Sequence, residues 1–345
     1  MDPTTIGIIG CGDISHAYLR GAARSQLIRV KACADLRPAA AEAQAKAYGV
    51  AAVPVDALLA DPEIEIVINL TVPLAHGPVS RQIITADKHV YSEKHQACRR
   101  AIDAGRIGRP LAGAAAVLSH GMEHWHPNPE FFFKRGGGPI HDIGPYYVTQ
   151  LINLLGPVAR VAAQASTGSP TRTVSSKPRA GQVIEVEVPT TVNGVLSFAS
   201  GANVALTASW DVWKHKRLPL EVYGSEGSLL VPDPNFFGGA PMIAERDSEW
   251  QELDISAHPF GIPNRALRSG AEVADYRIIG LLDMAAALRQ GRPHRASGDL
   301  ALHVLEVLDS FERSSVEGHH VMVESPGERP EPLPLGAGDE VFLEG

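Results

Sequence analysis

The chain has 345 residues, 44% hydrophobic and 20% charged, with 31 basic side chains against 39 acidic ones and a net charge of −8. Such a length suits about two domains, and the composition excludes disorder, collagen and coiled coil as the main architecture. The negative balance speaks against a nucleic-acid partner held by bulk electrostatics, and no apolar run approaches the roughly 20 residues of a membrane span. Asp2-Pro3 begins no signal peptide, and Cys11, Cys33 and Cys98 form neither an even framework nor a CxxC pair. The expectation is a cytoplasmic, two-domain α/β protein with no membrane or nucleic-acid partner.

Thr5-Ile6-Gly7-Ile8-Ile9 reads as a β-branched strand that stops at Gly10-Cys11-Gly12-Asp13-Ile14-Ser15, and a helix is expected from Asp13 to about Arg24. Strand, Gly-x-Gly-x-x-small, helix is the dinucleotide-binding fingerprint in its required context. Gly10 allows the tight turn, Gly12 lets backbone approach a pyrophosphate, and Ser15 replaces the third glycine as a small packing residue. Arg29 to Ala34 forms the next strand and ends at Asp35, about 20 residues on, where an acid can hold both ribose hydroxyls and repel a 2′-phosphate. That favours NAD; Arg37 could clamp the phosphate, so NADP stays open. Asp35 as a mere cap before Pro38 is the blander alternative.

A helix from Pro38 to Tyr48, a short one from Asp56 to Leu59 and a buried strand from Ile64 to Leu70 follow. The loop Thr71-Val72-Pro73-Leu74-Ala75-His76 then lies at a strand's carboxyl end, where open α/β sheets bind ligands. A helix from about His76 to Ala86 and a strand Lys88 to Tyr91 deliver Ser92-Glu93-Lys94.

From Leu111 the pattern becomes antiparallel sheet: Ala112 to Leu118, Ile184 to Val188, Val204 to Trp210, Leu218 to Tyr223 and Ser228 to Val231 read as strands. Asn193-Gly194 between Val192 and Val195 predicts a two-residue hairpin, and Ser200-Gly201 another turn. Ser169 to Gln182 reads as a polar loop, and Gly327 to Gly338 as a surface tail. Late helices are expected at about Asp275–Arg289 and Asp299–Ser315.

The densest chemistry lies between Ser119 and Tyr147. His120, Glu123, His124, Trp125 and His126 precede three phenylalanines and Gly136-Gly137-Gly138. Zinc ligands must be weighed there, but without HExxH or a partner cysteine, a metal ranks last.

These landmarks resemble the glucose-fructose oxidoreductase / inositol dehydrogenase / rhizopine-catabolism (Gfo/Idh/MocA) family. The matching features are Gly10 to Ser15, the Thr71–His76 loop, Glu93-Lys94, and Ala101 to Gly108 as a link to a second domain. Gly136 to Pro139 with Asp142, Gly144 and Tyr146, and Tyr223 to Leu229, also match. The resemblance implies a Rossmann doubly wound parallel sheet in residues 1–106 and, in 107–345, an α+β substrate domain with a large, mostly antiparallel open-faced sheet. It implies Gly10, Gly12, Asp13, Ile14, Ser15, Asp35, Arg37, Thr71, Pro73, His76, Glu93 and Lys94 at the cofactor. It further implies Lys94, Asp142 and Tyr146 in catalysis, and a polyol-binding wall of His120, Trp125 and His126.

One departure stands out: the family has a helix and a strand between Glu-Lys-Pro and the link, whereas His95 follows Lys94 at once. A parallel crossover needs a dozen or more residues. Either one βα unit is lost here, or an internal segment of the natural protein is missing from this sequence; the second is expected, because losing a central crossover would expose the sheet.

The implied activity is NAD(P)-dependent oxidoreduction of a secondary hydroxyl, or its ketone, on a sugar, sugar derivative or cyclitol. A non-catalytic dinucleotide-binding regulator and a metal-dependent hydrolase are the alternatives. The bare sheet face implies a homodimer or homotetramer.

Overall fold

A computed structural model describes residues 2–71, 93–235, 239–255, 260, 263–266, 270, 272–274, 276–335 and 339, with backbone only at Glu93 and Lys94. Strands β1 (Thr4–Ile9), β2 (Ile28–Ala34), β3 (Ala51–Ala52) and β4 (Ile66–Asn69) make a parallel sheet in the order β3-β2-β1-β4. Ile6 and Ile8 of β1 and Ile66 and Ile68 of β4 are buried against helix α1 (Ser15–Ala22). Helix α2 (Pro38–Tyr48) opens on Pro38 and closes on Gly49 in the left-handed region, φ 69°, the usual proline-in, glycine-out pair. Helix α3 (Val55–Leu59) places Leu58 in a small cluster with Ile9, Ala32 and Ala34. The expected loop through Pro73 and His76, the helix to Ala86 and the strand at Lys88 to Tyr91 lie outside the described residues.

Helix α4 (Glu93–Asp103) runs unbroken through Lys94-His95 and on into the link. Its residues Ala97, Cys98 and Ala101 join a second core, and His95 is buried with Nε2 bonded to the Pro232 carbonyl at 2.9 Å. Cys11, Cys33 and Cys98 are all buried and free.

The second unit is built on a nine-stranded mixed sheet. Its strands are β5 (Pro110–Leu118), β6 (Val158–Ser166), β9 (Thr191–Phe198), β10 (Asn203–Ser209), β11 (Leu220–Gly224), β12 (Gly227–Val231), β13 (Met242–Glu245), β14 (Gln251–Glu252) and β17 (Val321–Met322), ordered β14-β13-β12-β11-β5-β10-β9-β6-β17. The β5–β10 pair is parallel and every other pair antiparallel. Short ribbons pair β7 (Thr171–Thr173) with β8 (Val183–Glu185), and β15 (Arg265–Ala266) with β16 (Glu272–Val273). Two helical segments, α5 (Pro139–Asp142) and α6 (Gly144–Leu155), lead into the core, and nearly the whole of α6 is buried under the sheet.

The two late helices part company. Helix α7 (Ile279–Gln290) packs into the first core, with Leu281, Leu282 and Ala285 beside Ile6 and Leu19, whereas α8 (Gly298–Glu317) covers β6 through Val304, Val307 and Phe311. Ser297 caps α8 by accepting from the Leu300 N–H at 3.1 Å.

The expected Asn193-Gly194 hairpin is not there: both residues sit inside β9, opposite Thr207 and Leu206 of β10. Packing overrides the turn propensity. A Cβ on Gly194 would lie 2.6 Å from the Phe311 ring, so the glycine is the notch that lets α8 approach the sheet. The Ser200-Gly201 turn is present, with Gly201 at φ 90°. The expected loop Ser169–Gln182 contains β7, and β8 stops at Glu185 rather than Val188 because it belongs to this ribbon and not to the large sheet. The Gly327 tail is not loose: Leu333 is 1% exposed in the first core, and Arg329 ties it to the Asn153 and Leu154 carbonyls at 2.9 and 2.7 Å.

Candidate active site

The strand β1 ends in a loop whose backbone is shaped for a phosphate. Gly10 takes φ 102°, and a Cβ there would stand 2.5 Å from the Leu70 carbonyl carbon, so only glycine fits the crossing of β1 past β4. Gly12 has open space where a side chain would be, and Gly12, Asp13 and Ile14 are exposed. Ser15 is fully buried and donates its hydroxyl to the Gly12 carbonyl at 2.6 Å, which closes the turn where the third glycine would pack. Ile14 provides no side-chain cap, so the first amides of α1 have no side-chain acceptor. An anionic pyrophosphate supplies what that helix end lacks.

Asp35 folds back onto the same loop. Its Oδ2 accepts the Cys11 N–H and its Oδ1 the Arg37 N–H, each at 2.8 Å, while Arg37 itself points to solvent. Thr71 lies beside Gly10, its N–H and hydroxyl both donated to Asn69 Oδ1 at 3.1 and 2.6 Å. These residues fit an NAD cradle; Pro73, His76 and the side chains of Glu93 and Lys94 lie outside the described residues.

The histidine-rich loop leaves β5, and a second loop leaves β10. Because those strands are parallel, both loops emerge at one end of the sheet, tied by the Ser119 N–H to the Ser209 carbonyl and the Val212 N–H to the Ser119 carbonyl, each 2.9 Å. His120 stacks on His124 at 4.8 Å and on Trp213 at 4.9 Å between ring centres. Trp213 is 73% exposed and Trp125 55%, so the wall presents two indoles to solvent. His126 sits among Trp125, Phe131 and Phe132 and accepts the Asn128 N–H at 3.1 Å. Burial holds the His126 imidazole below its usual range, against the opposing pull of the Asp13 charge.

A buried ionic network anchors the wall. Glu123, 2% exposed, meets the Arg172 guanidinium at 3.2 Å and His124 Nε2 at 3.4 Å, and its carbonyl accepts from the Ser175 and Ser176 amides. Arg172 also pairs with Asp211, which takes the Thr190 and Thr191 hydroxyls at 2.8 and 2.6 Å. Burial pushes the Asp211 carboxyl up, but those hydroxyls and the Arg172 charge outweigh it and hold it below the usual range. Among the described residues no group of His, Cys, Asp and Glu is arranged to hold a metal.

Asp142 closes α5, and Tyr146 opens α6 two residues after the break at Gly144. The break follows from Gly144-Pro145, since proline cannot continue the preceding turn. Both side chains are partly buried, while Tyr147 beside them is 2% exposed in the core, where burial first and Asp233 second raise its phenol. Arg277, from the turn before α7, donates to Tyr146 Oη at 3.5 Å with its Cζ 5.6 Å from the ring centre. Trp213, Arg172 and Arg277 carried no local sequence signal: each meets its partners only through the tertiary fold, Arg277 from 131 residues away.

Residues 4–99 match the model of the oxidoreductase family with an NAD-binding Rossmann fold, and residues 95–230 that of the GFO/IDH/MocA C-terminal domain. The inositol 2-dehydrogenase of Rhizobium meliloti (strain 1021) is 26% identical over 353 residues, covering 92% of this chain and 98% of that protein. The 1,5-anhydro-D-fructose reductase of Ensifer adhaerens is 26% identical over 267 residues, 65% of this chain and 74% of that one. A levoglucosan dehydrogenase solved with NADH and L-sorbose superposes with a TM-score of 0.78 at 19% identity, over 94% of this chain and all of that one, which shows a shared fold.

Proposed function

The chain belongs to the Gfo/Idh/MocA oxidoreductase family, and from that premise we propose that it moves a hydride between NAD and a secondary hydroxyl or ketone of a sugar, sugar derivative or cyclitol. The observation that carries this reading is the Gly10–Ser15 loop with Asp35 folded back onto it, in one chain with a second unit that carries the His120–His126 wall, Asp142 and Tyr146. The relatives named above are enzymes that act on polyols or sugars, which leaves a non-catalytic reading without support.

The nicotinamide supplies the hydride chemistry when bound; the protein supplies position and a proton path. The amides at the start of α1 and the Asp35 carboxylate orient the cofactor by pyrophosphate and ribose. The exposed rings of Trp125 and Trp213 offer flat apolar faces to the carbon-bound hydrogens of a sugar ring, while His120 and His126 bond its hydroxyls. Tyr146 Oη takes the proton of the reacting hydroxyl in oxidation and returns it in reduction. Asp142 orients that hydroxyl, and Lys94, in the first turn of α4, is a further acid–base group in this reading. Mere loop histidines bonded to polar neighbours would be the bland alternative for the wall.

The proposal keeps the division at residues 106 and 107, a cytoplasmic location and self-association through the open sheet face. It also keeps a missing segment between Lys94 and His95; peptide mass mapping of the natural protein tests it, and a covalent Lys94–His95 bond would overturn it. A panel of polyols and aldoses, each with NAD and with NADP, tests the activity by the absorbance of reduced nicotinamide. Reduction of NAD by at least one cyclic polyol or aldose is expected; silence across the panel in both directions would sink the reading.

A further inference from the structure

The sequence gives no reason to look at Arg277, yet two cores converge on it. Ile278 and Ile279, the next residues, are buried in the first core beside Ile6, Ile8 and Leu19. Gly21 of α1 packs so closely there that a methyl group on it would come within 2.8 Å of Ile278 Cβ. The backbone of Arg277 is therefore fixed by the dinucleotide unit. Its guanidinium crosses to the other unit, where Nη2 donates to the Asn235 carbonyl at 2.6 Å and to Asn235 Oδ1 at 3.1 Å. Nη1 donates to Tyr146 Oη at 3.5 Å, and the cation also lies against the Tyr146 ring.

This fork matters for the chemistry assigned to Tyr146. In oxidation the C–H bond breaks and its electron pair leaves with the hydride to the nicotinamide; the O–H proton passes to Tyr146 Oη and the ketone forms. In reduction the same proton goes back. In either direction Tyr146 Oη is negatively charged whenever the proton is on the substrate. A guanidinium stays charged at any working pH and its planar fork is rigid. With Nη2 held by Asn235, Nη1 is left aimed at the phenol oxygen. A lysine ammonium has three donors on one nitrogen but no planar fork, so a bond to Asn235 would not aim a second donor at the phenol oxygen as the guanidinium does.

We propose that Arg277 is a positioning residue for the reaction, acting through Tyr146: it fixes the ring and stabilises the negative charge that Oη carries in each turnover. The inference rests on the reading of Tyr146 as the proton carrier, and it adds a cation, held where α7 packs on the first core, that the family landmarks in this sequence did not point to.

The test compares the wild type, Arg277→Gln, Arg277→Lys, Tyr146→Phe and the Arg277→Gln/Tyr146→Phe double variant. For each, kcat, KM, the thermal midpoint and the NADH dissociation constant from protein-fluorescence quenching are measured. Arg277→Gln is expected to lower kcat by about tenfold to a hundredfold, the scale of one assisted proton transfer, while KM and NADH affinity stay within about threefold. Arg277→Lys falls in between. In the Tyr146→Phe background the further Arg277→Gln change leaves kcat within about twofold, because the residue it serves is gone. Low concentrations of guanidinium chloride restore part of the Arg277→Gln turnover and none of the Tyr146→Phe turnover. An Arg277→Gln loss of equal size in both backgrounds, or a loss matched by a collapse of the thermal midpoint without guanidinium rescue, overturns the proposal. Full turnover in Arg277→Gln with Tyr146→Phe crippled overturns it alone; full turnover in Tyr146→Phe overturns the tyrosine assignment and this inference with it.

Discussion

Both oxygens of Asp35 already accept a backbone N–H from the loop they face. An ionised carboxylate offers about four lone-pair sites, and with Arg37 Nε also reaching Oδ1 at 3.5 Å the site left for a ribose hydroxyl is on Oδ2. A 2′-phosphate would instead meet like charge at close range, which costs a few kcal/mol unless a cation intervenes. Arg37 is that cation, but its side chain is in solvent, 3.5 Å from Asp35. Steady-state rates should therefore favour NAD over NADP by about tenfold or more in kcat/KM, a difference of at least about 1.4 kcal/mol, and Asp35→Ser should narrow the gap. Equal efficiencies would show that Arg37 swings onto the phosphate. Tyr146→Phe and Lys94→Ala should each lower turnover by roughly a hundredfold, the usual scale for an acid–base group, with cofactor affinity changing much less; a near-normal Tyr146→Phe would pass the role to Lys94 or His126. The glycines and Asp35 were legible because their work is local, within one strand-turn-helix unit. Arg277 was not, because a cation that meets Tyr146 from 131 residues away leaves no pattern around either residue.

Gly194 and His303 show elements being set by their neighbours. Asn-Gly is the best short hairpin signal a sequence offers, yet here the chain needs a strand with a gap in its side chains. Gly194→Ala would place a methyl group 2.6 Å from Phe311 and 2.9 Å from the Ala162 carbonyl. Overpacking of that kind costs about 1–3 kcal/mol, so denaturant unfolding should show it, while Asn193→Ala on the exposed face should change little. The helix ends of α2, with Pro38 and Gly49, were readable for the opposite reason: caps are made by the residues themselves. His303 joins α8 to β6, its Nε2 accepting the Val158 N–H at 3.1 Å and its Nδ1 facing the Ser325 carbonyl at 3.2 Å. Burial, the largest cause, lowers its imidazole from the ordinary 6.5, and the same is true of His126. Folded-state values below the unfolded one mean that the stability they allow is present above about pH 6.5 and is lost as the pH falls toward the folded values. The thermal midpoint should thus decline below that pH. His303→Gln, whose side-chain carbonyl can still accept the Val158 N–H, should flatten part of the slope; an unchanged slope would mean that other groups dominate acid unfolding.

At the scale of the molecule, both units were visible in the alternation of patterns, but the way they are clasped was not. Helix α7 returns to the first core, α4 lies in the second, and the segment from Gly327 to Leu333 crosses between them. None of these crossings has a sequence period, since each depends on which hydrophobic face happens to find a partner. The same reasoning applies to the face of the large sheet turned away from α6 and α8. Along β5 it presents Ala112, Ala114 and Ala116, with Ala205 and Thr207 of β10 and Asn193 and Val195 of β9 beside them, while Glu221 and Tyr223 of β11 stand opposite Ala114 and Ala112 and Arg160 and Gln164 flank Ala162 on β6. Thr207 donates to Asn193 at 2.9 Å, so those two satisfy one another within the sheet. The short side chains of β5, β10 and β9 leave the centre of this face flat, and two such sheets can face each other at about 10 Å with little entropy to lose there. Sedimentation at micromolar concentration should therefore show a dimer or tetramer. Ala114→Glu sets a second carboxylate opposite Glu221 at the centre of the face without touching the core on the other side, and like charges would then crowd a desolvated contact between two copies. That variant should sediment as a monomer with an unchanged thermal midpoint at high dilution. A wild type that is monomeric at the concentrations of the assay, or an Ala114→Glu protein that still associates, would place the contact elsewhere.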